Sequence, residues 1–208
     1  MSVLASEELV RRLRGDADSG RRLVISPIWD ISEQLRLGTA SVDVRLGQAF
    51  VVHRRAHVGS LDPGEESSDE AQLRIEERIT IPFGESFTLH PNQFTLGSTI
   101  EYFGLPGDLS GYVVGKSSWG RLGLTIATAI GIHPHYRGVI TLELRNVGEV
   151  PVSLYPGAMI AQVFFHDVRE GVSEAPEPGR YQLATGPEHP VLRLHGLVQR
   201  LQKLRGDS

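Results

Sequence analysis

Cysteine is absent from the 208 residues, which removes disulfides, thiolate zinc sites and cysteine nucleophiles together. No charge of one sign dominates either. Against 25 Asp and Glu stand 21 Lys and Arg, for a formal net charge of −4, so the basic footprint of a duplex nucleic-acid binder is missing. A small anionic ligand stays open, because it needs only a local cluster of cations and backbone N–H groups. No apolar run approaches the roughly 20 residues of a membrane span. The first residues, MSVLASEELVRRLRG, carry no apolar core of signal-peptide length. These absences predict a soluble, cytoplasmic protein with no membrane partner and no nucleic-acid partner.

What is present is enough apolar material, 40% of residues, to bury a sizeable core in one domain with terminal appendages. Leu9, Val10 and Leu13 stand at i, i+1 and i+4, which predicts a short amphipathic helix from a Ser6 cap to Gly15. From Leu23 the texture changes to short alternating segments. Val42, Val44 and Leu46 alternate with Ser41, Asp43 and Arg45, and further strands are predicted at 50–52, 79–81, 86–89, 94–100, 109–114, 124–127, 139–146, 152–154 and 159–165. Turn signals such as Pro82-Phe83-Gly84, Leu105-Pro106-Gly107 and Tyr155-Pro156-Gly157 separate them. Many short strands punctuated by Gly and Pro predict an all-β sandwich, jelly roll or barrel. The acidic stretch 60–78 reads as an exposed loop and 171–190 as a Pro/Gly-rich arm. Leu194, Leu197, Val198, Leu201 and Leu204 then predict a C-terminal amphipathic helix that docks on its own domain or on a neighbouring subunit. The expected boundaries are an N-terminal helical segment at 1–22, a β domain at 23–170 and an arm with helix at 171–208.

Two segments concentrate chemistry. Gly115-Lys116-Ser117-Ser118-Trp119-Gly120-Arg121-Leu122-Gly123 gathers two cations, two hydroxyls and three glycines, suited either to cradling phosphate or to a strand-edge turn. It lacks the Walker spacing. In the second, Gly131 to Asn146, Ile140, Leu142 and Leu144 point one way and Thr141, Glu143 and Arg145 the other. Glu143 therefore stands on a solvated face or lines a pocket. His133 and His135, two apart, share a face if extended and would suit either a metal or water.

In order, GKSSWGRLGL and GIHPHYRGVITLELRN resemble the core of dCTP deaminases and their dUTPase relatives. SVDVRLG upstream, LYPGAMIAQ downstream and Arg180-Tyr181-Gln182 in the arm extend the resemblance from about Ser26 to Pro187. It implies a distorted jelly-roll or β-barrel of the dUTPase-like type, with a short N-terminal helix and a C-terminal helix, assembled as a homotrimer whose active sites lie where subunits meet. It also implies a nucleoside triphosphate bound with Mg²⁺, dCTP as substrate, dUTP as product and dTTP as an inhibitor. Zinc is not expected, since the zinc-deaminase signature needs cysteines.

By the same resemblance, Glu143 is the general base that activates water against C4 of cytosine. Ser117 and the carbonyl of Ala129 hold that water, and Arg121 steadies Glu143. Lys116, Ser117, Ser118, Gln162, Arg180 and Tyr181 contact phosphates. Ile132, His133 and Tyr136 surround the nucleotide, with Tyr136 against the deoxyribose.

Departures stand out: His133 replaces the usual Asp, an anionic acceptor that histidine does not copy, and Ala184 replaces a triphosphate-binding glutamine. The expected activity is deamination of dCTP to dUTP and ammonia in pyrimidine deoxynucleotide metabolism. The alternatives are a deaminase of another cytosine nucleotide, a dUTP diphosphatase or bifunctional enzyme, and a non-catalytic nucleotide-binding trimer.

Overall fold

The computed structural model describes residues 2–15, 21–54, 58–62, 67–127, 131–172, 182–190 and 195–206. In chain order the elements are α1 (Ser6–Arg14), β1 (Val24–Ser26), α2 (Ile31–Gln34), β2 (Ser41–Arg45), β3 (Ala49–His53) and α3 (Ser67–Ile75). There follow β4 (Glu76–Thr80), β5 (Phe87–Leu89), β6 (Phe94–Gly104), β7 (Leu109–Gly115), α4 (Ser117–Gly120) and β8 (Leu124–Ile126). The chain continues through β9 (Gly131–Ile132), β10 (Arg137–Asn146), β11 (Val152–Leu154), β12 (Met159–Asp167) and α5 (His195–Gly206).

The strands form two main antiparallel sheets and a small one. One runs β4-β3-β6-β10-β8, with β1 also paired to β6; the second runs β2-β12-β7-β9; β11 and β5 pair by themselves. Alternation explains the core. Val42 and Val44 from β2, Ile160, Val163 and Phe165 from β12, Phe50 from β3 and Leu142 and Leu144 from β10 all belong to one buried cluster. Each such Leu or Phe contributes about 1.5–3 kcal/mol by leaving water. Phe50 stacks on Phe87 with ring centroids 4.9 Å apart. The all-β expectation holds.

Two local expectations are corrected. Residues 60–78 are not all loop, because α3 and the start of β4 fall within them. Glu76 is held there by bonds that composition does not reveal, from Gln72 at 2.9 Å and from the His189 ring. Ser6 is the first helical residue of α1 and Ala5 the N-cap, without a side-chain cap bond. The Ser6 hydroxyl is drawn into the fold instead, accepting from the Gly38 amide at 3.1 Å. The polar positions Asp43 and Arg45 of β2 are buried, where Lys116 and Glu101 pair with them.

Gly15 closes α1 in the left-handed conformation, as its sequence position predicts. The helix lies on the β body. Leu9 is fully buried, and the Arg12 guanidinium bonds Glu8 at 2.8 Å, Asp108 at 2.9 Å and Asp167 at 3.2 Å. The other end differs. Leu197, Leu201 and Leu204 of α5 are exposed, so their shared stripe is not docked on the described residues.

Candidate active site

β7 leaves its sheet at Gly115, and Lys116 is extended with its amide bonded to the Ile160 carbonyl at 3.0 Å. The chain then winds into α4, a single turn in which the Trp119 and Gly120 amides return to the Lys116 carbonyl. Trp119 anchors this turn: its indole N–H donates to the Met159 carbonyl at 2.9 Å while the ring packs on the core. Gly123 ends it at φ +92°, where an added Cβ would meet the Gly148 backbone at 2.7 Å. Only glycine fits. The result is a stiff turn that presents Ser117, Ser118 and Arg121 to solvent.

The Lys116 ammonium is ion-paired with Asp43. Gln162, opposite Asp43 on one side and Val114 on the other, lies between the strands that carry the pair. Its Oε1 accepts from the Ser41 hydroxyl at 3.3 Å. Ser41, Asp43, Lys116 and Gln162 therefore form one polar surface across β2, β12 and β7. Asp43 is the member that functional reasoning from the sequence missed. Its signal was an acid inside an otherwise buried strand motif.

The second segment begins with Ile132, buried in β9, and exposed His133. His135 takes a positive φ of 62°, and its Nε2 lies 2.6 Å from the Val172 carbonyl. The Tyr136 hydroxyl donates to the Val139 carbonyl at 2.7 Å; burial, followed by Tyr102 and Glu188, pushes it up to about 12. Among the described residues no group of three His, Asp or Glu is placed to hold a metal ion.

Along the start of β10 runs the arm. The Leu183 amide donates to the Arg137 carbonyl at 2.7 Å, the Val139 amide to the Ala184 carbonyl at 2.9 Å, and the Glu188 amide to the Thr141 hydroxyl at 3.1 Å. Gly138, at φ +145°, permits this approach, since a Cβ there would lie 3.0 Å from the Ala184 nitrogen.

Glu143 shares its pleat face with Thr141, to which the arm is bonded. It stands opposite Leu96 on β6, and its carbonyl accepts from the Ala127 amide at 3.0 Å. Its side chain is half-buried, and burial raises its pKa above the ordinary glutamate value. No ion pair with Arg121 forms within the chain, and no described residue bonds the carboxyl. A partly dehydrated carboxyl with no partner among the described residues, its pKa shifted upward by burial, has the chemistry of a candidate acid–base group. Ala129, Arg180 and Tyr181 lie outside the described residues.

A family model described as dCTP deaminase-like matches residues 6–168. A dCTP deaminase from Halorubrum lacusprofundi is 38% identical over 194 residues, covering 89% of this chain and 89% of its own. A dUMP-forming dCTP deaminase from Mycobacterium ulcerans is 45% identical over 154 residues, covering 74% of this chain and 76% of its own. The crystal structure of a 2′-deoxycytidine 5′-triphosphate deaminase from Agrobacterium tumefaciens superposes with a TM-score of 0.58 at 22% identity. That match covers 80% of this chain and 48% of the other, so this chain spans about half of that protein's length.

Proposed function

The chain belongs to the dCTP deaminase family, and we propose that it removes ammonia from dCTP by hydrolysis with Glu143 as the general base. The observation that carries this reading is the half-buried Glu143 carboxyl, without a partner among the described residues and with its pKa raised by burial, inside the matched segment. Ionised Glu143 takes a proton from water as the oxygen attacks C4 of the cytosine ring. The same carboxyl then delivers that proton to the departing amine, and ammonia leaves. Ser117 and the Ala129 carbonyl hold the water. Arg121, without a carboxylate partner among the described residues, meets Glu143 across a homotrimer interface.

The triphosphate rests on Lys116, Ser117 and Ser118 of the α4 turn and on Gln162, and Arg180 and Tyr181 close over it. His133, Ile132 and Tyr136 flank the sugar and base. The donor set fits Mg²⁺ held through the nucleotide and not by a protein cage. Mg²⁺ favours phosphate oxygens with one or two carboxylates, and Asp43 is the carboxylate beside Lys116. When bound, the ion offsets triphosphate charge. On this reading the enzyme acts in the cytoplasm on free nucleotides.

The test is ammonia release from dCTP with Mg²⁺. Wild type turning over while Glu143→Gln does not supports the reading; equal inactivity of both, or equal activity, sinks it. A second reading, in which dUTP is cleaved onward to dUMP, is favoured by the name of the Mycobacterium ulcerans relative. His133, a poor substitute for an anionic water-orienting group, stands against it. Pyrophosphate released from dUTP would decide for cleavage.

A further inference from the structure

Between its two halves, β10 changes register against β6. Val139 faces Tyr102, yet Thr141 faces Ser98, so Thr99, Ile100 and Glu101 oppose the single residue Ile140. At this bulge β6 turns to other partners. Thr99 bridges to Leu46, Ser98 accepts from the Gly47 amide at 2.7 Å, and the Glu101 carboxylate turns to Arg45. The Ile140 amide is thereby left without a backbone acceptor on β6.

Thr99 fills the gap with its side chain. Its hydroxyl accepts from the Ile140 amide at 3.0 Å and donates to the Glu101 carbonyl at 2.8 Å. Thr99 is buried, so water does not easily replace either bond. Three residues further along β10 stands Glu143, in the segment whose register is restarted by this splice. Bulges beside active sites re-aim the side chains that follow them. We propose that Thr99 is a positioning residue: its hydroxyl locks the β6–β10 bulge and thereby sets where the Glu143 carboxyl stands. The inference rests on Glu143 being the base.

The experiment compares wild type, Glu143→Gln, Thr99→Val and Thr99→Ser for dCTP deamination, with rates expressed per folded protein. Thr99→Val keeps the branched shape without the hydroxyl, and kcat is expected to fall by about 10- to 100-fold while KM is preserved, because a base displaced by about 1 Å loses catalysis and not binding. Thr99→Ser restores kcat. Wild-type kcat in Thr99→Val, or a rise in KM with kcat intact, overturns the inference while an inactive Glu143→Gln leaves the base assignment standing. An active Glu143→Gln overturns both. If Thr99→Val does not fold, Thr99→Ala, whose smaller side chain leaves room for a bridging water, takes its place. A kcat equal to that of Thr99→Ser then rejects the positioning role, and a lower one upholds it.

Discussion

The buried Glu101 carboxylate takes two hydrogen bonds from one residue, the Arg45 amide at 2.9 Å and the Arg45 Nε at 2.6 Å. Gln34 adds a third at 2.9 Å, and Arg45 in turn lies under the Trp29 ring, 4.8 Å from its centroid. The pair joins β2 of one sheet to β6 of the other, at the bulge that faces Ile140. Its stabilising value against water is small, but separating it strands a charge in the core. Glu101→Gln is expected to cost about 3–5 kcal/mol. Urea unfolding should show a lower midpoint at unchanged slope; a midpoint within error of wild type would contradict the burial.

The raised pKa of Glu143 sets opposite signs for activity and stability. With Glu143 as the proposed base, activity requires the ionised carboxylate, so kcat should climb with pH through a limb lying above the ordinary glutamate range. Stability runs the other way. Folding favours the protonated form, and that contribution is complete below the unfolded-state value and lost as pH rises through the folded-state value. Glu143→Gln should therefore melt no lower than wild type at neutral pH while losing activity. Melting curves at acidic and neutral pH check this, and a clearly lower Tm at neutral pH would contradict it.

Lys116 divides its charge between Asp43 and the proposed phosphates. Lys116→Met is expected to raise KM for dCTP by about 10-fold or more, the size of one charge-assisted bond. Deoxycytidine, which has no phosphate, should be little affected. Comparing KM for the two substrates checks the assignment, and equal losses on both would speak against phosphate contact.

Gly138 combines a φ of +145° with close approach to the Ala184 nitrogen. Gly138→Ala should cost about 1–3 kcal/mol through backbone strain and push the arm from β10. Thermal melts and limited proteolysis near residue 184 measure the two effects separately.

Much of this was legible in the sequence because period-2 patterning is a local property. The Ile140, Leu142 and Leu144 alternation placed Glu143 on the outward pleat, and the structure buries those three while leaving Glu143 partly open. The strand at 152–154 appears with the boundaries expected for it. What stayed hidden depends on residues distant in sequence. The ion pairs of Asp43 and Arg45 are made with Lys116 and Glu101, each more than fifty positions away. The β6–β10 bulge was equally invisible, because a two-residue slip keeps every side chain on its own face and so leaves no mark in the pattern. Helix α3 was concealed by the acidic composition of its surroundings.

The attachment of the arm to β10 gives the molecule an internal reporter. The Val139 amide donates to the Ala184 carbonyl, so one proton in the strand that carries Glu143 is sheltered by a segment almost fifty residues downstream. Its exchange with deuterated water measures how often the arm lifts, in solution and without a label. Adding nucleotide and watching that single amide separates the proposed closure of the arm from the proposed chemistry at Glu143.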